Sequence, residues 1–307
     1  MPETADVAAP MPTEVSSAEG LRLFSDKPAG SHGFVTSADR TRLSYRFWPA
    51  ENWNGRVAVV LHGIGYHSGP YQVIAKALNP NGTDVYALDA RGHGLSEGPR
   101  GFVGTARQVV EDVGCMIDLV KQQRPSAKIF LLGDSMGADF ALAYAREHSG
   151  QLTGLVLLAL ALNLHWSQFL SAESLRLMPN MLFAHRKPVI NLVGARLNES
   201  SRDSHFIAER SADPLAYKNV SFGYLLDVQR LVFGWRWKIA PRIQAPTLLI
   251  KGGRDRVVSH FECVAFARRC AAKDKQFKIF PNVPHTTLWD PQTPEILGLV
   301  DQWMLKR

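Results

Sequence analysis

The strongest chemical signal in the sequence is a serine placed between two glycines. Residues 133–137 read Gly-Asp-Ser-Met-Gly, with Ser135 at the centre. The apolar run KIFLLGD precedes this serine, and a segment with helical spacing from Met136 to His148 follows it. Strand, sharp turn and helix form the context of a G-x-S-x-G nucleophile elbow, whose glycines let neighbouring backbone pass close to a strained turn. The pattern therefore predicts Ser135 as an exposed nucleophile at the tip of a strand.

A serine hydroxyl needs a neighbouring base, and that base needs an orienting carboxylate. Asp255 lies in the loop GGRDRVV after the apolar run that begins at Pro246. His285 lies in the loop NVPHTTLWD after the next run, KQFKIFP. Because parallel strands end at one edge of a sheet, the three loops should meet there. A lone loop Asp or His is usually an ordinary turn residue, so the predicted triad depends on all three occurring in the order Ser, Asp, His.

Acyl transfer also requires backbone donors for the oxyanion that forms on attack. One predicted donor is the amide of Met136, directly after the nucleophile. The other is the amide of Ile64, in the turn His62-Gly63-Ile64-Gly65 that follows the strand RVAVVLHG and resembles the oxyanion loop of lipases. His62 itself is interpreted as a residue that holds this loop by a hydrogen bond.

The elements that must position these residues predict an α/β fold. Short Val/Ile/Leu runs alternate with segments of helical periodicity, and an alternating stretch from Gly33 suggests an antiparallel hairpin at the sheet edge. We therefore expect a mostly parallel eight-stranded sheet flanked by helices. Between Asn163 and Ala240 the alternation of apolar strand-like runs and helical segments is interrupted for about eighty residues. This segment is too long for a structureless loop inside a compact domain. The predicted organisation is a tail (1–30), a core (31–162 and 241–307) and an inserted helical cap (163–240).

Five segments resemble one known family. They are LHGIGYHSGPY, DARGHGLSEGPRG, GDSMGA, ADPLAY and APTLLIKGGRDRVV, and together they extend over most of the chain after residue 30. They resemble the monoacylglycerol lipase/lysophospholipase-like group of α/β hydrolases, also called the serine aminopeptidase S33-type family. The resemblance implies the α/β-hydrolase fold and the same roles for the triad and the two amides, and it implies structural loop roles for Asp89, Arg91 and His93.

Three positions beside the predicted site depart from that family's pattern. Asp134 stands where lipase members usually have His, Tyr66 stands where they usually have Glu, and Thr286 follows the predicted base in place of Glu. These departures concern the substrate more than the chemistry. Tyr66, His67 and Asp134 are therefore taken as candidate substrate-binding residues.

The predicted cap combines apolar and basic side chains. Its first half carries apolar residues that could line an acyl pocket or pack the cap on the core, and packing is the commoner role. A later segment, FGWRWK, places Trp235 and Trp237 among Arg236 and Lys238, a combination suited to a lipid interface. The apolar residues of the first half are Phe169, Leu170, Leu175, Leu177, Met178, Met181, Leu182 and Phe183.

Composition restricts the partners. The net charge of +7 is scattered and no nucleic-acid recognition motif accompanies it, so we expect a small-molecule acyl substrate and no nucleic acid. No apolar stretch approaches the ~20 residues of a membrane span. Three cysteines without C-x-x-C spacing suggest neither disulfides nor a zinc site, and residues 1–30 lack a secretory pattern. We therefore expect a cytoplasmic protein that needs neither a metal nor an organic cofactor.

The predicted reaction is hydrolysis of a carboxylic ester through an acyl-Ser135 intermediate. A thioesterase or an acyltransferase would use the same triad, and these alternatives remain open. A non-catalytic homologue that keeps the pocket for binding is disfavoured by the complete set of catalytic residues. Dehalogenase and epoxide hydrolase members of the fold use an Asp nucleophile, which this chain replaces with Ser135.

Overall fold

The computed structural model of the protein describes residues 31–162, 184, 186–191 and 201–307. Ten strands occur in these ranges, eight of them in one sheet. In chain order they are β1 (Ser31–Thr36), β2 (Arg42–Trp48), β3 (Arg56–Leu61), β4 (Thr83–Leu88), β5 (Lys128–Asp134), β6 (Gly154–Leu158), β7 (Pro188–Asn191), β8 (Asn219–Ser221), β9 (Thr247–Gly252) and β10 (Lys275–Phe280).

The large sheet has the order β1-β2-β4-β3-β5-β6-β9-β10. Strands β1 and β2 form the antiparallel hairpin at its edge, with Ser31 opposite Phe47, and β2 also pairs antiparallel with β4. All other neighbours in the sheet are parallel. The predicted fold class is confirmed, because the central strands are buried on both faces and therefore appear in the sequence as continuous apolar runs.

Helices cover both faces of this sheet. Side chains of α2, α3 and α7 join the apolar core on one face, and those of α1 and α8 join the core on the other. The helices of the described ranges are α1 (Gln72–Leu78), α2 (Ala106–Gln123), α3 (Met136–His148), α4 (Ser204–Ala212), α5 (Phe222–Leu231), α6 (Trp235–Lys238), α7 (His260–Arg269) and α8 (Thr293–Leu305).

Three short elements were not expected from the sequence. Helix α1 has only seven residues, too few for a clear helical period. Strands β7 and β8 pair antiparallel within the segment predicted as a helical cap, and with four and three residues they are too short to show a clear alternation. The apolar residues predicted for the first half of the cap, Phe169 to Phe183, lie outside the described residues. The cap boundaries stay a prediction.

The loop after β4 is held by a buried ion pair. Arg91 Nη2 lies 2.8 Å from Asp112 Oδ1 and its Nε donates to Asp112 Oδ2 at 3.0 Å, so the two planar groups meet side by side. Only 6% of each of these side chains is exposed. Arg91 Nη1 also lies 2.7 Å from Asp39 Oδ2 in the turn between β1 and β2. This agrees with the structural role that the family resemblance implied for Arg91.

Arg91→Met should destabilise the protein strongly. Removing one partner leaves the Asp112 carboxylate buried without its counter-charge, which typically costs about 3–5 kcal/mol in the free energy of unfolding. Urea unfolding followed by circular dichroism measures this change. Arg107→Met is the matched control, because Arg107 pairs with Glu111 on the exposed face of α2 and its loss should leave the unfolding midpoint unchanged. Equal midpoints for both variants would contradict the prediction.

Candidate active site

Ser135 sits on a strained turn between β5 and α3. Its backbone has φ 52° and ψ −114°, a conformation that L-residues rarely adopt. The amide of Ser135 donates to Leu158 O at 2.8 Å, which ties the turn to the neighbouring strand β6. A Cβ at position 137 would collide with Leu61 O at the end of β3. The glycine at this position is therefore required by the close approach of β3 to the start of α3.

The structure brings the three residues of the predicted triad together. Ser135 Oγ lies 3.0 Å from His285 Nε2, and His285 Nδ1 lies 2.9 Å from Asp255 Oδ2. The other oxygen of Asp255 accepts from the amides of Val257 at 2.8 Å and Val258 at 3.1 Å, so its own loop holds the carboxylate. The side chain of Asp255 is fully buried and that of His285 is 13% exposed. This geometry can pass a proton from the hydroxyl to the imidazole.

Electrostatics favours the charged pair that such a transfer creates. Burial opposes ionisation of Asp255, but the charge and hydrogen bond of His285 outweigh it and hold the pKa of this carboxyl below its usual range. Burial also opposes protonation of His285, but Asp255 outweighs it and raises the pKa of the imidazole. An imidazolium formed during attack is thus stabilised where it forms.

Lys251 is a member of the site that sequence analysis missed. Its side chain is 1% exposed, and its Nζ lies 3.0 Å from Asp255 Oδ2 and donates to Val258 O at 3.0 Å. Lysine is rarely fully buried unless it is paired. The sequence signal for it is a lysine inside the apolar run TLLIKG, because a charge in a buried strand is costly unless a partner is close by.

The predicted oxyanion donors lie in the two turns beside Ser135. Met136 is the first residue of α3, so its amide has no acceptor within the helix. Ile64 follows Gly63, whose carbonyl accepts from the amide of Tyr66 at 3.2 Å and closes the turn. His62 fixes this turn from behind: its Nε2 accepts from the amide of Ala90 at 2.9 Å, which leaves Nδ1 to donate to Gly63 O at 2.8 Å.

Asp134 is linked to the oxyanion turn through Tyr71. The hydroxyl of Tyr71 donates to Asp134 Oδ2 at 2.6 Å and accepts from the amide of Gly63 at 2.8 Å. Asp134 is only 6% exposed, and burial raises its pKa to about 6. Its charge in turn helps to raise the pKa of His285. The residue is therefore placed to tune the base.

Asp134→Asn should shift the acidic limb of the pH profile of kcat/KM to lower pH. The amide oxygen still accepts from Tyr71, but the variant loses a negative charge that favours the imidazolium. The pKa of His285 then falls, and the neutral base persists to lower pH, by about 0.5–1 pH unit. Asp118→Asn on the exposed side of α2 is the matched control and should leave the limb in place. An unchanged limb in Asp134→Asn would contradict this electrostatic role.

Tyr66 belongs to an aromatic cluster that joins the site to the segment after residue 200. Its ring stacks on Trp289 at 5.4 Å and lies parallel to Phe206 of α4 at 5.9 Å between centroids. The Arg210 guanidinium lies 3.6 Å from the centroid of Tyr66, and its Nη1 donates to Gly65 O at 3.1 Å. The amide of Tyr217 donates to the same carbonyl at 2.9 Å. Two donors from the segment 204–217 therefore hold Gly65, which directly follows Ile64.

Arg210→Met should lower kcat about 10- to 100-fold while KM changes little. The variant removes the hydrogen bond to Gly65 and the cation above Tyr66, so the Ile64 amide loses its fixed direction, and misplacement by about 1 Å can cost 10² in rate. Initial rates on a soluble ester separate kcat from KM. Arg210→Lys keeps the charge and should recover part of kcat, whereas equal kcat in Arg210→Met and wild type would disprove the positioning role.

His67 bonds to protein groups through both ring nitrogens. The ring is fully buried, its Nδ1 accepts from the amide of Gly69 at 3.1 Å, and its Nε2 donates to Asp213 Oδ2 at 2.8 Å. Both ring nitrogens are thus engaged by protein groups. The ring joins the oxyanion loop to the segment ADPLAY, a long-range pairing that local sequence patterns do not show, and the role of His67 in substrate binding stays a prediction.

The sheet order and the Gly-x-Ser-x-Gly turn at the carboxyl end of β5 define an α/β hydrolase with a serine at its elbow. The sequence model of the family "Serine aminopeptidase, S33" matches residues 54–292. The chain belongs to this family, as the sequence motifs indicated.

Curated relatives extend over nearly the whole chain. Human monoglyceride lipase is 30% identical over 89% of this chain and 90% of its own length. The monoacylglycerol lipase of Mycolicibacterium smegmatis is 29% identical over 86% of this chain and 93% of its own. A soluble variant of monoglyceride lipase from Saccharomyces cerevisiae, solved with a substrate analogue, superposes with a TM-score of 0.77 at 19% identity over 92% of this chain and 96% of that chain, and shows the same fold.

Family and relatives together make the protein an ester-cleaving serine hydrolase, and they do not favour the thioesterase and acyltransferase alternatives. None of the helices in the described ranges combines the length and apolar character needed to cross a membrane.

Proposed function

We propose that the protein hydrolyses esters of medium- or long-chain fatty acids, of the monoacylglycerol or lysophospholipid type, through an acyl-Ser135 intermediate. The observation that carries the proposal is the hydrogen-bonded chain from Ser135 Oγ through His285 to Asp255 at the carboxyl ends of three parallel strands. Relatives named as monoacylglycerol lipases support this class of substrate.

In the proposed mechanism, Ser135 Oγ attacks the ester carbonyl carbon while His285 Nε2 takes the hydroxyl proton. The carbonyl oxygen becomes an oxyanion, which accepts hydrogen bonds from the backbone amides of Ile64 and Met136. The imidazolium, held by Asp255, then gives its proton to the departing alcohol. A water molecule repeats the sequence on the acyl-enzyme, with His285 as base, and releases the fatty acid.

We assign the remaining residues to positioning and selection. Residues 163–240 act as the cap, and its contacts through Arg210 support the geometry of the oxyanion turn. Tyr66 remains partly exposed beside this turn, and we assign it to contact with the acyl or alcohol part of the substrate. Asp134 acts through the charge of His285, and His67 acts through Asp213 of the cap.

The proposal includes a cytoplasmic location and transient contact with lipid surfaces. Cys115, Cys263 and Cys270 are free thiols, as expected in a reducing compartment. Monoacylglycerols and lysophospholipids collect in membranes and micelles, so an enzyme that cleaves them must reach such a surface.

Substrate profiling tests the proposed function. The purified protein is assayed on monoacylglycerols and lysophospholipids of graded acyl length and on the matching acyl-CoA thioesters. We expect kcat/KM to be highest on a medium- or long-chain ester, and we expect a fluorophosphonate probe to label the peptide that contains Ser135. Exclusive turnover of acyl-CoA would overturn the substrate class, and absence of labelling would overturn the mechanism.

A further inference from the structure

Three aromatic side chains stand exposed on one part of the surface. Phe233 is 76% exposed, Trp237 73% and Phe261 68%, and they are the most exposed large apolar residues in the described ranges. Single exposed apolar residues are ordinary, but a cluster usually marks an interaction surface. We call this cluster, together with its neighbouring cations, the aromatic-basic face.

The aromatic-basic face is held rigidly by the residues beneath it. Trp235 is 4% exposed and lies 6.0 Å from the ring of Phe266 in α7. Arg236 Nη2 lies 2.8 Å from Glu262 Oε1, which ties α6 to the first turn of α7. Trp237 is two residues beyond the buried Trp235 and therefore lies on another side of α6, where it is exposed to solvent. The exposed rings therefore belong to an ordered face.

A cation lies near each exposed ring. Lys238 Nζ is 5.8 Å from the centroid of Phe233, the Arg269 guanidinium is 4.7 Å from that of Trp237, and the Arg236 guanidinium is 5.8 Å from that of Phe261. Segments 230–242 and 254–269 contain eight Lys and Arg residues but only two carboxylates.

The two carboxylates offset only one charge of the face, and Asp227, which lies just before the first segment, pairs with Arg230. Asp255 is fully buried, and Glu262 is paired with Arg236. The face therefore combines exposed aromatic rings with a net positive charge.

We propose that the aromatic-basic face docks the protein on anionic lipid surfaces. Aromatic rings favour the headgroup region, where their apolar bodies leave water, and Lys and Arg attract anionic lipids. A protein partner would be expected to cover the rings with apolar area, but the cation beside each ring favours a negatively charged surface instead.

The position of the face relates it to the active site. Helix α7 begins directly after the loop that carries Asp255, so Phe261 lies toward the carboxyl edge of the sheet, where Ser135 also lies. Docking through this face would hold that edge near the lipid from which an ester substrate leaves. The inference thus deepens the proposed function, since it names the surface on which the enzyme would meet its substrate.

Vesicle co-sedimentation tests the proposal on the full-length protein. Vesicles of phosphatidylcholine alone are compared with vesicles that also contain phosphatidylglycerol, at low and high salt. We expect binding to the anionic vesicles, weakened by salt. The double variant Trp237→Ala/Phe261→Ala should lower the partition coefficient by about tenfold or more. Leu305→Ala, an exposed apolar residue on α8, is the matched control and should bind like wild type.

Charge reversals give a second set of variants that retain all three exposed aromatic residues. Lys238→Glu and Arg269→Glu replace exposed side chains and should weaken binding to anionic vesicles, whereas Lys76→Glu on α1 should not. Absence of wild-type binding, equal binding to neutral vesicles, or full binding by the double variant would overturn the proposal. So would a wild-type dimer in sedimentation velocity that the double variant abolishes, because the face would then join two copies of the chain.

The two proposals fail separately. Turnover of a short-chain ester dissolved in water should be the same in the surface variants and in wild type, since these residues are outside the catalytic site. If the protein binds anionic vesicles but cleaves no monoacylglycerol or lysophospholipid, the proposed substrate is wrong and the docking surface stands. If it cleaves these lipids but ignores anionic vesicles, the docking proposal is wrong.

Discussion

Ser135→Ala is expected to reduce kcat on esters by about 10⁵- to 10⁶-fold, the loss seen when the nucleophile of a serine triad is removed. Alanine has no oxygen to place 3.0 Å from His285 Nε2, so no acyl-enzyme can form. Fluorophosphonate labelling should disappear together with ester turnover. The unfolding midpoint should stay close to that of wild type, because alanine and serine meet the same strain at φ 52°.

Ser211→Ala is the matched control for this variant. Ser211 is exposed on α4, where its hydroxyl bonds Ile207 O within the helix. It should label and turn over substrate like wild type. Turnover by Ser135→Ala within tenfold of wild type would reject Ser135 as the nucleophile, whatever the labelling result.

Asp255→Asn is expected to reduce kcat by about 10⁴-fold with a much smaller change in KM. The amide nitrogen that replaces Oδ2 can donate a hydrogen bond to His285 Nδ1, and this stabilises the tautomer that carries its proton on Nε2. In that tautomer Nε2 cannot accept the hydroxyl proton of Ser135. The imidazolium also loses the charge that raises the pKa of His285, so the residual activity should extend to lower pH. The pH profile of kcat/KM measures both effects.

Two further variants make the Asp255 result specific. Asp274→Asn makes the same chemical change at an exposed carboxylate that pairs with Arg307, and it should leave kcat unchanged. Lys251→Met should remove the positive charge beside Asp255 but keep the carboxylate that orients His285, so its kcat should exceed that of Asp255→Asn. If Asp255→Asn kept more than a tenth of the wild-type kcat, the orienting role would be rejected.

Local patterns were sufficient to predict the core of the fold. Strands β3, β5, β6 and β9 each contain a continuous apolar run because helices cover both faces of the sheet, and this makes them visible in the sequence. The strained turn at Ser135 was visible for a similar reason. Its glycines are required because a Cβ at either position would collide with backbone a few residues away in the motif or at the end of one neighbouring strand.

The prediction was weaker where a residue's partner is distant in the chain. The residues around His67 do not indicate its pairing with Asp213, so the sequence alone predicts only a substrate contact for it. Helix α1 and the pair β7 and β8 were missed because they are too short to show a period.

By itself, the sequence determined which residues are candidates for the chemistry, Ser135, Asp255 and His285, and that they follow strands of one parallel sheet. Only the tertiary structure decided what surrounds them: Lys251 beneath Asp255, Tyr71 between Asp134 and the oxyanion turn, and Arg210 on Gly65. The physical reason is range. Strand and turn propensities act over a few neighbouring residues, whereas Arg210 and Gly65 are 145 residues apart and meet only because both are carried to the same edge of the folded sheet.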